Sequence, residues 1–174
     1  SVNQAGEGSG NSRSRSAALS ADGRFIVFSS LASDLVPNDT NETEDVFLRD
    51  RLLRITRLVS RSKDGAGSAN GPSDAPVISS DGRYVAFRSS ANNLGDDPVR
   101  ADGQIYARDL LTGKTILVSR SLSKTGSSNA RSGPPLISAD GTKILFKTFA
   151  TDLALAEGNT SQDLFYLRTT SAEF

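Results

Sequence analysis

The 174-residue sequence contains no cysteine, histidine, methionine or tryptophan. Without cysteine it has no disulfide, no thiolate nucleophile and no cysteine-held zinc or iron–sulfur centre. Without histidine it cannot assemble a Ser-His-Asp triad. Net charge is also missing, since 20 basic residues balance 20 acidic ones. A general nucleic-acid or anionic-membrane binder needs a net basic surface, so nucleic acid is not an expected partner and only local patches stay open. No run reaches the roughly 20 apolar residues that cross a bilayer as a helix, so direct membrane insertion is not expected. The opening Ser1-Val2-Asn3-Gln4 is not a signal peptide and carries no initiator Met, so it says nothing about location. Hydrophobic content is 36%, on the low side, and the apolar runs are short. Gly, Ser, Asn and Asp clusters separate them, which is the pattern of an all-β chain with many turns.

What the sequence does have is a repeat. Ser20-Ala21-Asp22-Gly23-Arg24-Phe25-Ile26-Val27-Phe28 recurs as Ser79-Ser80-Asp81-Gly82-Arg83-Tyr84-Val85-Ala86-Phe87. It returns as Ser138-Ala139-Asp140-Gly141-Thr142-Lys143-Ile144-Leu145-Phe146, and the offset is 59 residues both times. Asp45 to Asp50 matches Gln104 to Asp109 and then Asp163 to Arg168, while Asn11, Asn70 and Asn129 fall in register inside Gly/Ser-rich loops. The register asks for no insertion or deletion. A fixed period of this length signals a stacked repeat architecture.

Each unit reads as four strands. The first is short, as in Pro76-Val77-Ile78-Ser79. An Asp-Gly pair then supplies a tight hairpin, because positive φ is inexpensive there. The second strand runs from Arg24 to Ser30, and its centre is apolar on both faces, so both should be covered. A polar loop leads to a third strand, Val46 to Arg49, and a short turn to a fourth, Ile55 to Val59. A four-stranded sheet with two buried faces must sit between neighbours, and copies packed around an axis meet that condition. The expected fold is therefore an all-β β-propeller with three four-stranded blades, at about residues 1–59, 60–118 and 119–174 of one segment. A β-sandwich is the alternative, but it leaves the period unexplained. The third unit stops before its outer strand, and known propellers have about four blades or more. The expectation is a partial propeller, or half of a six-bladed ring closed by self-association.

The core Pro76-Val77-Ile78-Ser79-Ser80-Asp81-Gly82-Arg83-Tyr84-Val85-Ala86-Phe87 resembles the WD-like propeller repeat of the TolB type, with its Pro, Ser-x-Asp-Gly and aromatic strand. Unit three keeps Pro135, Ser138, Asp140, Gly141 and Phe146, whereas unit one has Ala17 in place of the proline. The stretch Ser33 to Asn41 followed by Asp45 to Asp50 is similar to a bacterial subclass of extracytoplasmic proteins. The resemblance covers the whole chain. It implies the propeller fold and a periplasmic or extracellular location, and it says little about function. Family members that act as sugar lyases rely on histidine and metal, and this chain has no histidine.

Three sets of residues are candidates. Asp39, Asn41 and Asp45 alternate oxygen side chains on one loop, as a hard cation such as calcium requires. Glu157, Asn159 and Asp163 stand at the same positions of unit three, and Pro98, Arg100 and Gln104 at those of unit two. The duller reading is that Asp and Asn shape the loop through their own backbone. Arg13, Arg15, Arg61, Lys63, Arg120, Lys124 and Arg131 lie in equivalent loops, which a propeller gathers on one rim. They form either a basic ring for an acidic partner or glycan, or solvated loop charge. Asp22, Asp81 and Asp140 recur in every unit and are expected to accept backbone hydrogen bonds in their turns. Arg49, Arg108 and Arg168 are expected to be structural, paired with Asp50 or Asp109 or with a neighbouring blade. No catalytic residues, cofactor-binding residues or cofactor other than calcium are expected. The leading expectation is a non-catalytic module for protein–protein interaction or scaffolding, an accessory part of a larger bacterial envelope assembly. The alternatives are a cell-surface carbohydrate-binding propeller and a fragment of a larger propeller enzyme whose catalytic residues lie elsewhere.

Overall fold

The structure is a computed structural model and describes residues 1–100, 102–155 and 161–169. The described residues fold into three antiparallel sheets without a helix. The first sheet contains β1 (Ser14–Leu19), β2 (Phe25–Ser30), β3 (Asp45–Asp50) and β4 (Ile55–Leu58), in that spatial order. The second repeats the meander with β5 (Ser73–Ile78), β6 (Tyr84–Ser89), β7 (Gln104–Asp109) and β8 (Thr115–Leu117). The third contains β9 (Leu136–Ile137), β10 (Lys143–Thr148) and β11 (Asp163–Arg168).

The first strand is longer than the sequence suggests in two sheets and shorter in the third, and one position explains both. β1 and β5 each carry a bulge, between Arg15 and Ala18 and between Asp74 and Val77. At those bulges Ser16 and Ala75 adopt φ of 52° and 50°. The equivalent residue of the third sheet is Pro134. Its ring fixes φ near −65°, so that bulge cannot form. Pairing is reduced to Leu136–Ile137 and an isolated bridge between Ser132 and Thr148.

Successive sheets pack face to face. Val27, Val46 and Leu48 meet Val85, Phe87, Tyr106 and Leu117 in one core cluster. Ala86, Ile105, Ala107 and Val118 meet Ile144 and Phe146 in the next. Each large side chain so buried contributes about 1.5–3 kcal/mol. A stacked aromatic pair recurs across the middle strands, as Phe28–Phe47, Phe87–Tyr106 and Phe146–Phe165, with ring centroids 5.8, 6.1 and 6.4 Å apart. The second sheet, held between two neighbours, buries β6 and β7 almost throughout. In the third sheet β11 alternates strictly between half-buried and exposed, because only one face is covered. Leu136, Leu164 and Tyr166 stand on its open face, each about 60% exposed.

Candidate functional site

The sheets present two rims of different character. One carries the hairpins that join first to second strands, with the turns from third to fourth strands beside them. The other carries the long loops.

The hairpin turns of the turn rim are built alike in every unit. Asp22 accepts the Arg24 amide and the Ser20 hydroxyl, and Asp81 and Asp140 repeat both bonds. The Ser138 hydroxyl first, and then the Thr142 amide, hold the Asp140 carboxyl down at about 2. Gly23, Gly82 and Gly141 close the turns at φ of 67°, 75° and 72°. Neighbouring turns are bonded together, from Ala21 N to Ser80 O and from Ser80 N to Ala139 O. The third-strand acids are paired differently from expectation. Asp50 takes a two-pronged bond from Arg24, and Asp109 takes one from Arg83. Arg49 and Arg108 instead donate to Thr56 and Thr115, because alternation along the strand turns them away from the acid next in sequence. Each hairpin arginine also covers the ring that follows it, Arg24 on Phe25 and Arg83 on Tyr84. The signal for this was in the sequence, since Arg24 and Asp50 recur together as Arg83 and Asp109.

The loop rim varies. Asparagine clamps tie its loops together: Asn70 bonds Asn92 and Asn93, while Asn11 bonds Ser33 and Asp34. Of the seven basic residues, Arg15 pairs with Glu44, Lys63 with Asp96 and Arg120 with Asp97. Arg61 donates to the Gly65 carbonyl of its own loop. Arg131 packs over Gly103. Arg13 and Lys124 are exposed. The rim is a mixed-charge surface in which acids of the loops between second and third strands answer three of the seven bases.

At the inner end of β3, Asp45 is fully buried. Its Oδ1 accepts the Ser60 hydroxyl, and its Oδ2 has no hydrogen-bond partner. Asn41 and Asp39 lie beside it, and burial pushes its carboxyl up to about 7. Burial also raises Asp39, against the effect of the Ser68 hydroxyl. Asn41 holds the loop in place, accepting the Thr43 amide and donating to the Ala69 carbonyl. Asp39, Asn41 and Asp45 are therefore brought together. Of the unit-three set, Asp163 opens β11 opposite Thr148, and Glu157 and Asn159 lie outside the described residues. Among the described residues no group of three or more acids converges as a metal cluster.

The matching loop of the second sheet is shifted by one residue from the sequence register. Ser68 N donates to Asn38 O, whereas its counterpart Ser127 N donates to Pro98 O. Ser68 Oγ accepts the Thr40 amide, whereas Ser127 Oγ accepts that of Arg100. Asn38 and Thr40 therefore correspond to Pro98 and Arg100, and Asp39 corresponds to Val99. The 59-residue register returns at the start of the third strand, where Gln104 occupies the place of Asp45. The loop between the second and third strands absorbs the shift within its own length, because only its two anchoring bonds are constrained.

No protein-family model matches the sequence, and no curated protein matches it. Solved structures of similar shape include the tricorn protease, at 11% identity and a TM-score of 0.52, covering 90% of this chain and 14% of that one. They also include a prolyl endopeptidase, at 12% identity and a TM-score of 0.52, covering 93% of this chain and 22% of that one. TolB from Acinetobacter baumannii matches at 20% identity and a TM-score of 0.45, covering 94% of this chain and 34% of that one. The chain thus spans a minor part of the length of these structures. At such identities the likeness is one of fold, and the fold is that of β-propeller proteins. Among the described residues no helix is long and apolar enough to cross a membrane.

Proposed function

We propose that the chain is a non-catalytic interaction module of a bacterial envelope assembly, with the loop rim as its contact surface. The observation that carries this reading is the contrast between rims. The turn rim keeps its Ser-x-Asp-Gly bonds in all three units and its arginine–aspartate pair in units one and two. The loop rim, apart from its asparagine clamps, changes residue and charge from unit to unit and local register between units one and two. A rigid scaffold with divergent loops is how binding surfaces are built. The paired charges Lys63–Asp96 and Arg120–Asp97 bridge adjacent loops there and set a pattern that a partner of complementary charge can read. A periplasmic or extracellular location belongs to this proposal. The likeness of fold to TolB proteins agrees with it without carrying it.

The test is capture from an envelope fraction by the immobilised chain, repeated with Lys63→Glu and Arg120→Glu together. The reading expects a defined partner that the wild type retains and the variant loses. A partner held equally by both, or none at all, contradicts it. A glycan array run in parallel separates the carbohydrate-binding reading, which predicts hits on the wild-type chain.

A further inference from the structure

Blades one and two solve the same packing problem with opposite chemistry, at the point where the loop rim meets the third strand. In blade two the position is neutral and satisfied. Gln104 accepts the Ser119 and Ser128 hydroxyls through Oε1, and through Nε2 it donates to the Ala130 carbonyl. Its loop neighbour Val99 packs against the core. In blade one the same two places hold Asp45 and Asp39. The serine equivalent to Ser119 is kept, and Ser60 bonds Asp45 Oδ1. The outward half of the side chain is served less well: where Gln104 presents an N–H, Asp45 presents Oδ2, buried and with no partner in hydrogen-bond geometry, and the Asn41 amide and the Asp39 carboxyl lie beside it. Thr43 Oγ1, two residues away, is also buried and unpartnered.

A carboxylate removed from water without a compensating charge or donor is expensive, and a second acid beside it makes the arrangement worse. Blade two shows that this fold tolerates a neutral pair here, so the fold does not impose two acids. We propose that Asp39 and Asp45 form a two-carboxylate site for a divalent cation of the calcium type on the loop rim of blade one. Both residues supply the hard, anionic oxygens that such an ion takes, and carbonyls and water complete a shell of six to eight. Asn41 acts as a positioning residue, holding the loop to the Ala69 carbonyl so that Asp39 faces Asp45. The cation fixes the loop that carries the contact surface, and blade two needs none because the neutral Gln104 and Val99 leave no carboxylates there to balance.

The experiment is calorimetric titration of the 174-residue chain with calcium chloride, together with thermal melts in calcium and in chelator. The variants are those that blade two itself supplies, Asp45→Gln and Asp39→Val, with Asp45→Asn as an isosteric control should the longer amide fail to fold. The wild type is expected to bind one calcium ion and to melt roughly 5 °C higher at calcium about 100-fold above its dissociation constant. The variants are expected to lose both the heat of binding and the shift. Identical wild-type melts in calcium and chelator, with no heat of binding, would overturn the proposal; a proton shared between the two carboxyls would then account for the pair. An unchanged calcium response in the Asp45 variants would overturn it equally, by placing the ion elsewhere.

Discussion

The two rims of this propeller differ in what they repeat. On the turn rim Ser-x-Asp-Gly recurs with the same bonds in all three units, the hairpin arginine and third-strand aspartate recur in the first two, and each turn is tied to the next. On the loop rim the backbone bonds between sheets persist, as in Ser73 N to Glu44 O and Ser132 N to Gly103 O, and so do the asparagine clamps, but the charged side chains around them change. The difference shows where the structure concentrates stability and where it leaves room for change. Every copy keeps the same hairpin turn, and one variable rim is enough to carry a function.

The largest expected effect lies at the turn-rim seam. A Cβ on Gly82 would stand 2.3 Å from the ring of Phe25 in the preceding blade, whereas one on Gly23 would meet nothing closer than the Arg51 guanidinium at 3.9 Å. Both glycines have positive φ, so alanine costs about 1–2 kcal/mol at each from backbone strain alone. Gly82→Ala adds overpacking and is expected to cost roughly 2–4 kcal/mol in total. Urea denaturation of the two variants checks the difference, and equal losses would break the account of the seam.

The arginine–aspartate pairs come next. Asp109→Asn is expected to lower stability by about 1–3 kcal/mol, because it weakens a charge-assisted bond at a buried acid. Asp50→Asn should cost nearly the same if the turn rim is as uniform as its bonds indicate. Unequal losses in denaturant melts would show that the blades are locked differently.

Acid should act on the same rim. Arg24 holds the Asp50 carboxyl at about 2, and the Ser138 hydroxyl holds Asp140 there too. Both lie below the unfolded aspartate value of about 3.9. Groups depressed in this way contribute stability that is complete above about pH 4 and lost as pH falls towards 2. Melting temperature should therefore drop through that window, and less steeply in Asp50→Asn.

The smallest effect is expected on the open face of the third sheet. Leu164→Ser should change the stability of the monomer by no more than about 0.5 kcal/mol, since Leu164 is exposed. If two chains close into a ring through this face, the same substitution should instead dissociate the dimer, which sedimentation would detect.

Much of the turn rim was legible in the sequence. The Asp-Gly hairpins, the strand order within a unit and the double-sided burial of the second strand follow from periodicity and turn chemistry alone. The Arg24–Asp50 pair was missed because the recurring residues are 26 positions apart, and adjacency drew attention to Arg49 instead. The shortened β9 was also hidden, because nothing in the sequence says that Ser16 and Ala75 need positive φ until the bulges are seen. On the loop rim the candidate cluster of Asp39, Asn41 and Asp45 was visible as spacing. Its proper counterpart in blade two was not, since an even 59-residue register places Pro98 where the backbone bonds place Val99. Loops that float between two fixed anchors can trade a residue without leaving a trace in the register.

Hydrogen exchange followed residue by residue, with and without calcium, tests the asymmetry of the loop rim most directly. Calcium should slow exchange at the amides of residues 39–46 and leave those of residues 99–105 as they were. Equal protection in both loops, or none in either, would contradict the claim that blade one carries a site that blade two has replaced with an amide.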